Sequence, residues 1–305
     1  CIRQAVQCLD LMVSSVRILI VHNRYRQPGG EDVVVESELN LLRSRGHEVR
    51  LFEKTNEDVH GWHGALNSIW SSDVRKEIEK IILDFKPDVA HVHNVFHAIS
   101  PAVYGIIADQ GVPIVQTLHN FRLFCIRGTF EREGRICERC EGRSVWTGAL
   151  LKCYRGSRTA STVLAMSLQL HRIFQTFEKY VQKFIVLNEF CRDKFIRCGL
   201  PEEKLTVKPN FIDIPDPGTD YPRTGGLYVG RMASEKGMKV LAGALKLACS
   251  PFTTIGDGPE ADLLRDLVGV KFIGSVTREK VFDLMRGAGY LVVPSIWYET
   301  FGLVM

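Results

Sequence analysis

Four cysteines crowd one short stretch of the sequence, "FCIRGTFEREGRICERCEGRSVWTGALLKCYRGS", at Cys125, Cys137, Cys140 and Cys153. A Cys-x-x-Cys pair flanked by single cysteines can close a tetrahedral site of four thiolates around a structural zinc and so organise a loop-like segment. Reduced, partly buried thiols are the competing reading. A redox pair fits less well, because Cys137 does not open a helix after a strand. Histidines form a second group: His91 and His93, two residues apart, share one face of a strand and resemble half of a metal site. His93 with Asn94 equally suits the lining of an acceptor cleft, and the cleft is the preferred reading. His119 closes the apolar segment "VPIVQTLH"; a single histidine is more often structural than catalytic, and its place at a strand end is what points to function. In "VGRMASEKGMKVL", Arg231 and Lys236 follow Gly230 at a strand-to-helix turn. Two cations beside a helix N-terminus would stabilise a diphosphate, though two solvated charges beside a turn would look the same. Gly256 and Gly258 in "IGDGPE" mark a second such turn, departing from the dinucleotide-binding spacing. Gly29 and Gly30 precede a helix, where amides can approach an anion or sugar without a Cβ in the way.

The elements that must position these residues alternate. "VRILIVHN", "HEVRLFEK", "PDVAHVHN", "VPIVQTLH", "KFIVLN" and "KLTVKPN" read as strands, separated by helical patterns that include Ser72 to Phe85 and a long one from about Ser157 to Val181. Such alternation predicts parallel strands with helices on both faces. A Pro-, Gly- and Asp-rich stretch, "IDIPDPGTDYPRTGG", reads as an interdomain connection, after which "GLYVG", "FTTIG", "VKFIG" and "YLVVPS" restart the pattern. Ligands of open parallel sheets bind beyond the carboxyl ends of the strands, where the polar candidates lie.

The net charge of +4 over 305 residues gives no reason to expect a nucleic-acid partner. Between Asn120 and Leu200, however, 15 Lys/Arg stand against 7 Asp/Glu, a local excess suited to an anionic acceptor or membrane surface, or simply to a solvated face. No apolar run approaches the roughly 20 residues of a membrane span, and no secretory signal opens the sequence, so a cytoplasmic protein is expected. Nine cysteines without an export signal argue against a disulfide framework. Met12, just ahead of the first strand, is the expected start, and "LVVPSIWYETFGLVM" stops where an open sheet would still need covering, which suggests a fragment.

In order, "VGRMASEKG", "IGDGPE", "FIGSV" and "VPSIWYETFGLV" resemble the nucleotide-sugar half of retaining glycosyltransferases of family 4, which have the GT-B fold. "VHNRYRQPGGED", "TLHNFR" and "KPNFID" resemble the first glycine loop, the active-site histidine segment and the domain crossing of the same family. The resemblance runs from about Val16 onwards. It implies an α/β protein of two doubly wound Rossmann-like domains facing a cleft: 12–211 on the acceptor side with a Cys-rich insertion at about 120–156, a linker at 212–225, and an incomplete nucleotide-sugar domain at 226–305. It further implies that Arg231 and Lys236 bind the donor diphosphate beside Gly230, Gly256 and Gly258, and that Val276 and Ser295 line the base and sugar. Glu299 matches the first of the family's paired glutamates and orients the donor; its partner falls beyond Met305, so this chain is expected to be impaired or inactive. His119 would lie against the transferred sugar, with Gly29, Gly30, His93 and Asn94 on the acceptor side. The implied reaction moves a sugar from a nucleoside diphosphate to an acceptor hydroxyl with retention of configuration and without a divalent cation, in cell-surface polysaccharide or glycolipid synthesis. The acceptor would be a saccharide or lipid-linked, met at the cytoplasmic face of an anionic membrane. A nucleotide-sugar epimerase of the same fold, or a nonenzymatic zinc-containing binding module, are the alternatives.

Overall fold

The first strand, β1 (Arg17–Arg24), buries both faces. Leu19 and Val21 enter the main core, whereas Ile18 and Ile20 form a smaller core with Val35 and Leu39 of helix α1 (Gly30–Ser44). A strand apolar on alternate faces and covered on both is the signature of a parallel sheet. The computed structural model describes residues 15–25, 29–55, 72–212, 222–248 and 250–305. In it β1 is followed by β2 (Glu48–Thr55), α2 (Ser72–Phe85), β3 (Val89–Val92), α3 (Val103–Asp109) and β4 (Ile114–Thr117). The Cys-rich segment adds the short pair β5 (Glu131–Arg132) and β6 (Arg135–Ile136) and the helix α4 (Trp146–Leu150). Then come α5 (Arg158–Ile173), α6 (Thr176–Tyr180), β7 (Val181–Val186), α7 (Glu189–Cys198) and β8 (Leu205–Val207). Six of these strands form a parallel sheet in the order β2-β1-β3-β4-β7-β8.

A second sheet follows, built from β9 (Thr224–Val229), α8 (Met238–Leu245), β10 (Phe252–Ile255), α9 (Asp262–Arg265), β11 (Val270–Gly274), α10 (Arg278–Gly287) and β12 (Ala288–Leu291). Its order is β11-β10-β9-β12, again parallel, around a core that includes Tyr228, Met232, Met238 and Phe252. β9 begins inside the expected connection; residues 213–221 of that connection, like Met12, lie outside the described residues.

Two expected elements are shorter than the apolar pattern suggests. The long helix after Ser157 is capped as anticipated, the Ser157 hydroxyl accepting from the Ala160 amide, but it ends at Ile173. Gln175 takes a left-handed conformation (φ 49°), which an α-helix of L-residues cannot continue through, and α6 restarts the chain in a new direction. β4 likewise stops at Thr117, so His119 lies two residues beyond the strand, where the Asn120 side chain accepts from the Arg122 amide and turns the chain.

The Cys-rich segment is fastened by a charge rather than left as a loop. Lys194 of α7 is fully buried, its ammonium bonded to both Glu138 and Glu141 of the segment and placed over the rings of Phe130 and Tyr298. Removing one member of a buried ion pair strands the others and is strongly destabilising. Both glutamates keep some solvent contact, so Lys194→Ala is expected to cost about 2–3 kcal/mol, read as a lower urea midpoint with an unchanged slope.

Candidate functional site

The alternation of β3 decides where its histidines go. Ala90 and Val92 belong to the main core, so His91 and His93 face the other way, the side on which Ile20, the register partner of His91, meets α1. There they meet Glu38, three residues after Val35 and so on the same helical face. Glu38 Oε2 lies 3.3 Å from His93 Nε2 and 3.5 Å from His91 Nδ1, and its other oxygen accepts from Lys208 Nζ at 2.5 Å. His91 Nε2 pairs with the Thr117 hydroxyl at 2.8 Å, and His93 Nδ1 with His119 Nε2 at 2.9 Å. His93 therefore stands behind His119 rather than at the surface of a cleft. Asn94, also expected to line the cleft, uses both ends of its amide to join strand termini: it donates to the Asn23 carbonyl and accepts from the Phe96 amide. A cavity of about 20 Å³, space for a single water molecule, is lined by His93, Asn94, Gln116, Thr117, His119 and Arg122.

Burial shapes the charges of this group. Burial, reinforced by the adjacent His93, pushes His91 down to about 3; burial and His93 also push His119 well below its ordinary value, and His93 itself is lowered by burial. For Glu38 burial works against ionisation, but His93, His91 and Lys208 outweigh it and hold the carboxyl well below the usual carboxylate range. Burial thus favours the neutral imidazole at His91, His93 and His119, beside a Glu38 carboxyl held in its ionised form. Glu31, next to Gly30, is the opposite case, a carboxyl pushed up to about 7 by burial. The Gly29 amide donates to Asp32 at 2.7 Å, and Asp32 accepts from His22 at 2.9 Å, so the first glycine turn is closed by its own carboxylate.

In the second sheet the donor-side residues do converge. Lys236 Nζ, the Ser295 hydroxyl and Trp297 Nε1 all reach Glu299 Oε2, at 2.6, 3.0 and 3.0 Å, and the ammonium lies over the Trp297 ring. Gly237 makes this approach attainable: a Cβ there would stand 2.0 Å from the Pro294 carbonyl. Arg231 is exposed at the same turn, its carbonyl held by the Tyr228 hydroxyl. Gly256 and Gly258 serve packing, since a Cβ would lie 2.0 Å from the Gly230 carbonyl and 2.3 Å from that of Met232. Val276 follows β11 just before α10.

Glu299 is joined to His119 through the next residue. The Thr300 hydroxyl donates to the His119 carbonyl at 2.7 Å, and Asn188, which N-caps α7 with its Oδ1, donates through Nδ2 to the Thr300 carbonyl at 2.8 Å. Glu38, Lys208 and Asn188 are not singled out by sequence reasoning: Asn188 carries an N-cap signal ahead of "EFCRDKF" and Lys208 opens "KPNFID", while only the packing of β3 against α1 raises Glu38.

All four cysteines of the insertion are free thiols, with Cys125 and Cys140 buried. They are neighbours: burial first, then Cys125, Cys153 and Cys137, push Cys140 up to about 11. The group Glu38, His91 and His93 also brings three metal-ligating atoms together, within 4.8 Å of one another.

The chain matches the Glycosyltransferase Family 4 model over residues 28–215, more than half its length. A Klebsiella pneumoniae protein described as an uncharacterized 42.6 kDa protein in the cps region is 26% identical over 257 residues, 80% of this chain and 60% of that one. The chain thus spans about 60% of that curated relative's length. Among solved structures, Anabaena Alr3699/HepE in complex with UDP and glucose superposes with a TM-score of 0.56 at 16% identity, covering 95% of this chain and 77% of that one. AviGT4, a glycosyltransferase involved in avilamycin A biosynthesis, gives 0.52 at 18% identity, covering 95% and 74%. At such identities the likeness is one of fold, and the fold is GT-B.

The depressed histidines set a pH dependence for stability. The unfolded chain takes up protons on these residues as pH falls through about 6.5, whereas folded His91 and His97, both pushed by burial to about 3, do not. Stability therefore falls as pH drops from 6.5 towards 3. At pH 5 His91 alone accounts for about 2 kcal/mol. Glu31, pushed up to about 7, takes up its proton in the folded chain over the same range and offsets part of this loss, so urea midpoints at pH 7.5 and 5 are compared in Glu31→Gln protein, where equal midpoints would mean that the imidazoles are not held neutral.

Proposed function

The chain belongs to glycosyltransferase family 4, and we propose that it transfers a sugar from a nucleoside diphosphate donor to an acceptor hydroxyl with retention of configuration. One observation carries this reading. Glu299, gripped by Lys236, Ser295 and Trp297, sits one residue from Thr300, whose hydroxyl is bonded to the carbonyl of His119. This bond ties the neighbour of the donor-side carboxylate to the backbone of the acceptor-side histidine, which supports the two acting from opposite sheets on one pair of substrates. Lys236 and the exposed Arg231 supply charge-assisted hydrogen bonds to the diphosphate as the anomeric bond breaks, and no cation is asked of that step. Lys236 exchanges Glu299 for the diphosphate when donor arrives, freeing the carboxylate for the sugar hydroxyls. His119, neutral and tied through Nε2 to His93, keeps Nδ1 for the transferred sugar. The UDP and glucose held by HepE support a nucleotide-sugar donor, and the cps-region relative supports cell-surface polysaccharide or glycolipid synthesis as the setting.

A lipid-linked acceptor at an anionic membrane is supported by one face of the Cys-rich segment. Arg172 donates to the Arg143 carbonyl, which brings the end of α5, with Ile173 and Phe174 exposed, beside the start of α4, with Trp146 exposed. Exposed apolar side chains among arginines suit a peripheral contact. No described helix is long and apolar enough to cross a membrane. Several of the segment's basic residues are already spent on internal pairs, Arg127 with Glu131 and Arg132 with Glu133 among them, so the contact is expected to be weak.

Titration calorimetry with UDP tests the donor reading. Binding is expected, and Lys236→Ala should weaken it about 10- to 100-fold, the loss of one charge-assisted hydrogen bond. Failure of UDP and of other nucleoside diphosphates to bind would refute it, and the anomeric configuration of the product, read by NMR, decides retention. In vesicle sedimentation the chain should favour anionic over neutral lipid; equal recovery from both would remove the membrane contact.

A further inference from the structure

Three side chains from two elements aim their ligating atoms at one buried point, and the hydrogen bonds expected there are missing. His93 Nε2 and Glu38 Oε2 are 3.3 Å apart, yet both are buried and neither makes a well-aligned hydrogen bond. His91 Nδ1 stands 3.5 Å from the same oxygen. All three atoms lie within 4.8 Å of one another, and the side chains of His93 and Glu38 are 0% and 6% exposed.

We propose that Glu38, His91 and His93 form a binding site for a zinc-class divalent cation. Two ligands each about 2.1 Å from a tetrahedral zinc lie about 3.4 Å apart, with the ion off the line that joins them. Glu38 Oε2 stands at that separation from each of the two imidazole nitrogens, and an ion off the lines that join them accounts for both unpartnered atoms. Two imidazoles and one carboxylate, with a fourth position for water or a ligand, are a donor set that zinc accepts.

The outer contacts agree with this assignment at every ligand. Coordination through His91 Nδ1 leaves the proton on Nε2, which faces the Thr117 hydroxyl at 2.8 Å. Coordination through His93 Nε2 leaves the proton on Nδ1, which faces His119 Nε2 at 2.9 Å. Glu38 offers Oε2 inward while Lys208 holds Oε1. Ligands whose second polar atom is fixed by a neighbour are the usual design of a metal site. The Lys208 ammonium moderates affinity, since it is a like charge beside the ion. One consequence reaches the cleft: a metal on Nε2 makes His93 a donor, which obliges His119 to accept at Nε2 and to carry its own proton on Nδ1.

This site stands apart from the glycosyl-transfer reading, and the test does not use activity. The 305-residue chain, stripped with chelator, is titrated with cobalt(II) and followed by absorption. Cobalt on nitrogen and oxygen ligands gives visible ligand-field bands; cobalt on thiolates adds intense sulfur-to-metal charge transfer in the near ultraviolet. The expected result is a visible spectrum saturating at about one equivalent and displaced by zinc, unchanged in Cys137→Ser, Cys140→Ser protein. Glu38→Gln and His91→Gln should each weaken cobalt binding at least about 10-fold. No cobalt spectrum in the wild-type chain, or only a charge-transfer spectrum lost with the cysteines, overturns the proposal. If a Gln variant is unfolded by circular dichroism, the wild-type and cysteine-variant spectra decide alone.

Discussion

The hydrogen bond from the Thr300 hydroxyl to the His119 carbonyl is the constraint on which the site depends. His119 follows the first sheet and Glu299 the second, and this bond ties the two stretches together across a gap that no strand crosses. A backbone carbonyl is a good anchor for this purpose because it is fixed by β4 and the turn after it, while a side chain would bring its own rotamers. Asn188 strengthens the arrangement economically: one amide caps α7 with its oxygen and clamps the Thr300 carbonyl with its nitrogen. Removing it would loosen a helix end and the cleft together.

The Cys-rich segment follows the same logic of buried polar fastening. It contributes little regular structure, only the pair β5–β6 and one short helix, yet Phe121, Phe130 and Val145 are fully buried. Lys194 supplies what the backbone does not, bonding Glu138 and Glu141 while lying over two aromatic rings. The Tyr298 hydroxyl also donates to Glu138 at 2.6 Å, so the segment touches the stretch that carries Glu299. An insertion that looks like an ornament on the first sheet is therefore part of the wall between the two.

Much of this was legible before any coordinates. The alternation of apolar runs predicts the two parallel sheets, and the short motifs from "TLHNFR" to "WYETFG" single out His119, Lys236 and Glu299, which lie in the turns and loops beyond β4, β9 and β12 rather than at the strand ends themselves. What escaped was whatever depends on three-dimensional register. Glu38 reads as an ordinary polar residue in a helix; it becomes notable only because β3 turns His91 and His93 towards that helix. Asn94 joins β1 to β3 through the Asn23 carbonyl while also lining the small cavity beside His119, a double duty that spacing does not reveal. The break at Gln175 left no mark either, because "HRIFQTFEKY" keeps helical periodicity through a residue whose backbone has turned left-handed. Apolar spacing reports which residues are buried, and it is blind to single dihedrals and to polar partners from distant elements.

The passage from β12 to Thr300 has a mechanical meaning. β12 ends at Leu291, hydrogen-bonded into the second sheet beside β9, and nine residues later the chain is bonded to the first sheet at Asn188 and His119. Nine residues reach about 30 Å at full extension, and these are folded around Lys236, so the slack is much less. The segment acts as a leash: for the sheets to move further apart it would have to unwind, and the hydrogen bonds in the way include those that Thr300 makes to His119 and Asn188.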